Sequence, residues 1–206
     1  MKNGKKHCLT NLNKLSEERG IEQPLTMKII GITGTIGAGK GTIVDYLVNH
    51  YDFKHYSVRG YLIEEAQKQN LPLNRDTYVQ LANKLRELHS PSFIIDELYK
   101  EAEKNGVNAI IESIRTLGEI SSLRTKENFS LWAVDAAPEI RYERIFARKS
   151  ETDLISFETF LSNEQREMNT DNPAKQNLAA CISQADVLFS NNNDVAELFL
   201  QIEDAM

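Results

Sequence analysis

The sequence predicts an α/β fold in which one parallel β-sheet is covered by helices on both faces. Three observations lead there. Short β-forming runs alternate along the chain with stretches whose apolar residues recur every three or four positions. The first run, Met27-Lys-Ile-Ile-Gly-Ile, passes through a glycine-rich turn into the helical run Ile43-Val-Asp-Tyr-Leu-Val. Two later runs each end in an acid, Glu112 and Asp135, as expected where strands open on a crevice at their carboxyl ends.

The elements follow in order. The first strand is expected over 28–33, and its helix presents Ile43, Val44, Leu47 and Val48 on one face. A short strand near 54–57 leads to a helix with Val58, Leu62 and Ala66 at spacings of four. Two more helices precede the next strand. One carries Tyr78, Leu81, Ala82, Leu85 and Leu88 in phase. The other opens at Ser90-Pro91, a cap followed by proline in the first turn, and buries Phe93, Ile94 and Leu98. Strands are expected over 107–112 and 130–135. Pro138 opens a helix to about 149, a polar stretch over 150–156 follows, and a further helix ends near Met168. After Asp171-Asn-Pro173 come a helix over 174–183 and a strand over 186–190. Asn191-Asn-Asn193 reads as a loop, and the last helix packs Val195, Leu198, Phe199 and Ile202. The five strands make one doubly wound sheet, and residues 27–206 make one domain, a length that buries a full core. Residues 1–26 form a polar extension.

Composition narrows the partners. The net charge of −6 offers no general attraction to nucleic acid, so any basic site is local. No apolar run approaches a membrane span, and the first 26 residues lack the hydrophobic stretch of a secretory signal. Cys8 and Cys181 have neither metal-ligand nor redox-motif spacing, which suits a reducing compartment. Cytoplasmic residence is expected, with neither nucleic-acid nor membrane partners, as a monomer or homodimer.

The glycine-rich turn carries the chemistry. Gly34, Thr35, Ile36, Gly37, Ala38, Gly39, Lys40, Gly41 and Thr42 fit a phosphate-binding P-loop between strand and helix. Glycines let successive N–H groups turn inward around phosphate oxygens, and the helix adds its positive end. Lys40 is a compact cation able to reach β- and γ-phosphates. The pattern implies a bound nucleoside triphosphate, ATP.

Other charges are placed by spacing. Arg141, Arg144 and Arg148 share one helix side, and Arg148 adjoins a polar segment that would serve as a lid over about 149–170, with Arg166 on its return side. Glu112 ends a strand beside the P-loop, where a carboxylate can hold the waters of Mg2+; Arg115, three residues on, can grip a second substrate's phosphate. Asp135 has the same strand-end logic. For Arg141, Arg144 and Arg148 the competing reading is a solvated basic face paired with Glu139, Glu143 and Glu151. Arg59, Arg75 and Arg86 lie in the helical insertion over about 57–104 and could clamp a phosphate-bearing acceptor; a plain surface charge among Lys84, Glu87 and His89 is the competing reading for Arg86.

These residues resemble the P-loop nucleoside monophosphate kinases and dephospho-CoA kinase over roughly 27–206, most of all the adenylate-kinase-related nucleotide kinases of archaea and some bacteria. The loop resembles the adenylate-kinase version, with Gly41 after Lys40, while Gly31-Ile-Thr-Gly34 and Ile36-Gly37 are more similar to dephospho-CoA kinase. Ile110-Ile111-Glu112-Ser113-Ile114-Arg115, Arg141-Tyr-Glu-Arg144 and Ala185-Asp186 through Asn191 also recur. The resemblance implies a three-layer α/β/α P-loop fold with a five-stranded parallel sheet, an acceptor-binding insertion and a small lid. It implies a transfer in which Lys40 stabilises the β,γ bridge, Thr42 touches the α-phosphate and adenine lies near the loop that holds Asn191 and Asn192. Arg115 would hold the acceptor phosphate, and Arg144 and Arg148 would neutralise transition-state charge. Three departures stand out. Gly41 lacks the hydroxyl that usually ligates magnesium, Glu112-Ser113 stands for the usual Asp-Gly, and Ile63 falls near where adenylate kinases place an acceptor-binding arginine, so that either Arg59, one turn earlier, substitutes or the acceptor is not AMP.

The leading expectation is ATP-dependent phosphorylation of a nucleoside monophosphate or similar small phosphate-bearing acceptor. Dephospho-CoA is a variant whose ribose hydroxyl needs a general base, with Glu112 the one placed for it. The alternatives are an ATPase or nucleotide-dependent switch acting on a macromolecule, and a nucleotide sensor without catalysis.

Overall fold

The computed structural model describes residues 27–148, 155–170, 172 and 175–206. Five strands form one sheet in the order β2-β3-β1-β4-β5: β1 (Ile29–Gly34), β2 (Lys54–Ser57), β3 (Ala109–Glu112), β4 (Phe129–Asp135) and β5 (Val187–Ser190). Every pairing is parallel. The expected sheet is the observed one.

The register sets the site. Ile32 pairs with Glu112, Ser57 also pairs with Glu112, and Gly34 pairs with Val134, so the carboxyl ends of four strands converge. The central strand β1 is buried along its whole length. Its neighbours β3 and β4 lie on opposite sides, which makes its carboxyl end the point where strand order reverses and a crevice opens.

Side-chain alternation divides the core. Ile29, Ala109 and Ile111 face one layer with Leu62, Leu81, Ile94 and Leu98. Ile30, Ile32, Ile110 and Trp132 face the other with Ile43, Leu47, Phe189, Leu198 and Ile202. The first layer holds α2 (Val58–Lys68), α3 (Arg75–Leu88) and α4 (Phe93–Asn105); the second holds α1 (Lys40–Tyr51) and, at the chain end, α9 (Val195–Ala205).

Several boundaries shift for local reasons. Gly106, left-handed at φ 65, ends α4 by donating to Ala102, so β3 starts at Ala109 and Val107 is exposed. Val48, Leu88 and Val195 were expected on apolar faces but are exposed, the last two because they sit at helix termini. A helix that periodicity did not suggest, α5 (Leu117–Leu123), starts at a capping box in which the Thr116 side chain and the Glu119 backbone and side chain satisfy each other. It is followed in order by α6 (Pro138–Arg148), α7 (Phe157–Met168) and α8 (Leu178–Ser183). α8 begins at its cap Asn177 rather than at 174. The extension 1–26, with Cys8, and the polar part of the expected lid, 149–154, lie outside the described residues. Burial pushes the Cys181 thiol up to about 12, which leaves it unreactive.

Candidate active site

The loop after β1 is a backbone structure gripped from behind. Gly34 has φ 138, and a β-carbon there would lie 2.1 Å from the Val134 carbonyl oxygen. Gly39 has φ 110, and a β-carbon there would meet the Asn191 amide at 2.3 Å. Only glycine fits either place. Gly41, in contrast, has nothing within 4 Å of the same point.

The loop's carbonyl oxygens are taken by donors around it. Asn191 Nδ2 donates to Ala38 O at 2.7 Å, and Arg141 Nη1 donates to Ile36 O at 3.3 Å. The Thr35 hydroxyl donates to Asp135 at 2.6 Å. Lys40 Nζ donates to Gly34 O and Thr35 O at 3.0 and 2.9 Å. Burial, then the charge of Arg115, lowers the Lys40 ammonium to about 8; Glu112 and Glu167 offset part of this.

Glu112 ends β3, with His55 Nε2 3.3 Å from its carboxylate. Burial pushes its carboxyl up, but the His55 bond and the Lys40 charge outweigh that, and the group ends below its ordinary value. Ser113 has φ 75, a left-handed conformation that costs a non-glycine residue about 1 kcal/mol. The Ser113 and Ile114 N–H groups both donate to Ile32 O, which turns the chain back beside the loop.

Arg115 follows. Its N–H donates to Glu119 at 2.7 Å and that of Thr116 to the same oxygen at 3.0 Å, while the other Glu119 oxygen accepts from Arg86 Nε and Nη2 at 3.1 and 2.8 Å. Arg86 and Glu119 side chains are 1% and 0% exposed. Arg86 is therefore no solvated surface charge, and its first role is to hold the carboxylate that shapes the Arg115 turn. Its Nη1 is buried without a partner. The Arg115 guanidinium reaches Glu167 of α7 and Gln176. Arg75 reaches the other oxygen of Glu167. Burial raises the Glu167 carboxyl, but the charges of Arg115 and Arg75 bring it below its ordinary range.

These groups meet in one cleft of about 800 Å³, lined by the loop and helix start, by Arg59, Arg86, Glu112 and Arg115, and by Arg144 and Arg148 of α6. Seven cations line it against Asp45, Glu112 and Glu167, in a chain whose net charge is −6. Arg59 lies over the Tyr78 ring, 6.0 Å from its centre. Arg144 donates to the Asn191 carbonyl at 2.9 Å.

Three expected residues sit differently. Asn191 is buried beneath the loop, its side chain spent on Ala38 and Arg144, so a side-chain contact with a base gives way to bracing the loop. Arg141 is also buried and joins Ile36, Ala136 and Glu164. Asp135 is committed to Thr35 and its own following amide. Glu119 was legible as the residue three positions after the cap in Thr116-x-x-Glu119, a capping-box pattern. Glu167 carried no such signal, because both partners are distant in sequence. Among the described residues no cluster of His, Cys, Asp or Glu is arranged to hold a metal directly, and no helix is long and apolar enough to cross a membrane.

A parallel sheet in this order, with a P-loop at its switch point and a cation-lined cleft beside it, defines a P-loop α/β fold. The same fold is found in TT1252 from Thermus thermophilus (TM-score 0.58, 20% identity, 87% of this chain and 94% of that one) and in shikimate kinase from Bacteroides thetaiotaomicron (TM-score 0.53, 13% identity, 87% and 96%). Residues 30–170 match the AAA domain family. A UPF0200 protein from Methanococcus vannielii is 32% identical over 171 residues, 82% of this chain and 89% of its own. Another, from Methanococcus maripaludis strain C7, is 35% identical over 146 residues, 69% and 79%. The chain belongs to the UPF0200 family within these AAA-type P-loop domains.

Proposed function

We propose that the protein transfers the γ-phosphoryl group of ATP to a nucleoside monophosphate or a similar small phosphate-bearing acceptor. The observation that carries this reading is the single cleft with Lys40 and the loop at one end and Arg59 and Arg115 at the other. Phosphoryl transfer asks a protein chiefly to position two anions and offset charge, and a cation-rich cleft supplies that. With Ile36 O and Ala38 O held by Arg141 and Asn191, and the Ala38 N–H turned onto Thr35 O, other N–H groups of the loop are available for triphosphate oxygens. Lys40 exchanges two carbonyls for phosphate oxygens. Arg115 takes the acceptor's phosphate, and Arg144 and Arg148 offset charge developing between the two.

Magnesium fits the residues present only indirectly. Gly41 offers no hydroxyl, and Glu112, ionised at neutral pH, would hold it through water. When bound, the ion neutralises charge on the β- and γ-phosphates. The lowered Glu112 carboxyl also favours a phosphate acceptor over a hydroxyl one. A general base works best with its pKa near the operating pH, and Glu112 is moved the other way.

The test is ADP release from ATP with each nucleoside monophosphate and with dephospho-CoA. Strong stimulation by at least one monophosphate is expected. Turnover that no acceptor stimulates sinks the proposal.

A further inference from the structure

Glu167 is the feature the proposed reaction leaves unexplained. Its two carboxylate oxygens are divided between two guanidinium groups, Oε1 to Arg75 of α3 and Oε2 to Arg115 beyond β3. Its side chain is 12% exposed, and it sits one residue before the end of α7. It lines both the main cleft and an adjoining chamber of about 420 Å³.

Resting on the transfer reading above, we propose that Glu167 is an internal competitor that occupies the acceptor's phosphate subsite and is displaced when the acceptor binds. Four observations support this. A carboxylate is the protein's own nearest match to a phosphate oxygen edge, and guanidinium pairs accept either. Arg115 and Arg75 both line the main cleft, so an anion entering it meets the same cations that Glu167 holds. Two further cationic groups of that cleft are not spent on Glu167. Arg59 makes no ion pair among the described residues, and Arg86 Nη1 is buried and unpaired. A phosphate with three oxygens can therefore recruit more donors than a carboxylate with two. Finally, the exchange is cheap in electrostatic terms. Arg75 and Arg115, both only partly buried, trade one anion for another and are never left without a counter-charge.

The consequence is coupling. Displacing Glu167 releases the end of α7 from α3 and from the Arg115 turn, so acceptor binding loosens one wall of the side chamber. Before the acceptor arrives, the carboxylate keeps the cation pair from drawing an adventitious anion into the transfer position.

Inorganic phosphate is the probe, titrated calorimetrically into the full chain. Glu167→Gln should bind it about tenfold more tightly than the unaltered protein, the loss of one charge-assisted competitor. The gain should vanish when Arg75→Ala is added, which separates this subsite from the P-loop, where phosphate also binds. In the unaltered protein, saturating phosphate should speed amide hydrogen exchange over 157–168, and Arg75→Ala should abolish that response. The exchange measurement decides the matter if Glu167→Gln does not fold. Equal affinity in Glu167→Gln and the unaltered chain, a gain that survives Arg75→Ala, or slower or unchanged exchange overturns the proposal. None of these readouts involves ATP, so a failed acceptor panel with a positive phosphate result removes the reaction and keeps the subsite. The reverse outcome removes the subsite alone.

Discussion

On one side of the cleft, the shape of the loop 34–42 comes from donors that grip main-chain oxygens, from Asn191 and Arg141. On the other, the positions of Arg75, Arg86 and Arg115 come from carboxylates that grip guanidinium groups, Glu167 and Glu119. The first kind of clamp does not contend with an anionic ligand, because its holding groups are an amide and a cation. The second does, because the holding groups are themselves anions. On the proposed reading, a triphosphate would enter a braced cradle, whereas an acceptor would meet cations already bound to carboxylates.

Lys40→Met separates the two sides most sharply. Transfer should fall by about a thousandfold or more, since one preorganised cation at the moving phosphate is removed. The fold should hold, and melting should stay the same or rise slightly. The folded Lys40 ammonium sits at about 8, below its ordinary 10.5, so its charge opposes folding at neutral pH, and Met carries none. Melting and activity measured on the same sample check this.

Glu119→Gln should do the reverse. Arg86 keeps its charge in a site 1% exposed but loses its counter-charge, which costs about 3 kcal/mol or more in chemical denaturation. Activity per folded molecule should fall less than in the Lys40 variant. Full stability in Glu119→Gln would mean that the acceptor side does not depend on this pair.

Arg115→Ala should raise the acceptor's KM by roughly tenfold or more with a smaller change for ATP, because a charge-assisted bond to one ligand is lost. An effect confined to ATP would put Arg115 on the wrong side of the comparison. The most gradual effect, at most a fewfold within about half a unit of pH 8, concerns pH. Phosphate binding needs the Lys40 ammonium, so ATP affinity should be flat below pH 8 and decline by up to about tenfold per unit above it. A fluorescent ATP analogue titrated from pH 7 to 9.5 would show it.

The two sides also differed in how far they could be read from residues alone. The loop was legible because its glycines, Lys40 and the flanking strand and helix are contiguous, and the sheet was legible because buried strands alternate with amphipathic helices. On the other side the cations Arg59, Arg75, Arg86 and Arg115 were legible, and their partners were not. A surface charge stayed open for Arg86 among Lys84, Glu87 and His89 because its partner Glu119 stands 33 residues away on a helix too short to show a period. Asn191 lay where a nucleotide contact was expected, but its reach to Ala38 spans 153 residues and is set by the sheet. Local pattern fixes what a segment becomes; long-range charge pairing decides which of two partners a side chain meets.

Arg141 has a wider implication. One guanidinium holds Ile36 O in the loop and Glu164 on α7, and Glu167 lies one turn further along that helix. α7 is thereby tied at one point to the loop and, one turn on, to the cations across the cleft. On the proposed reading, a shift of the loop on binding the triphosphate would be felt, through this guanidinium, on the side where the acceptor binds. Shortening that side chain would be expected to loosen the loop and α7 together, since both lose the same anchor.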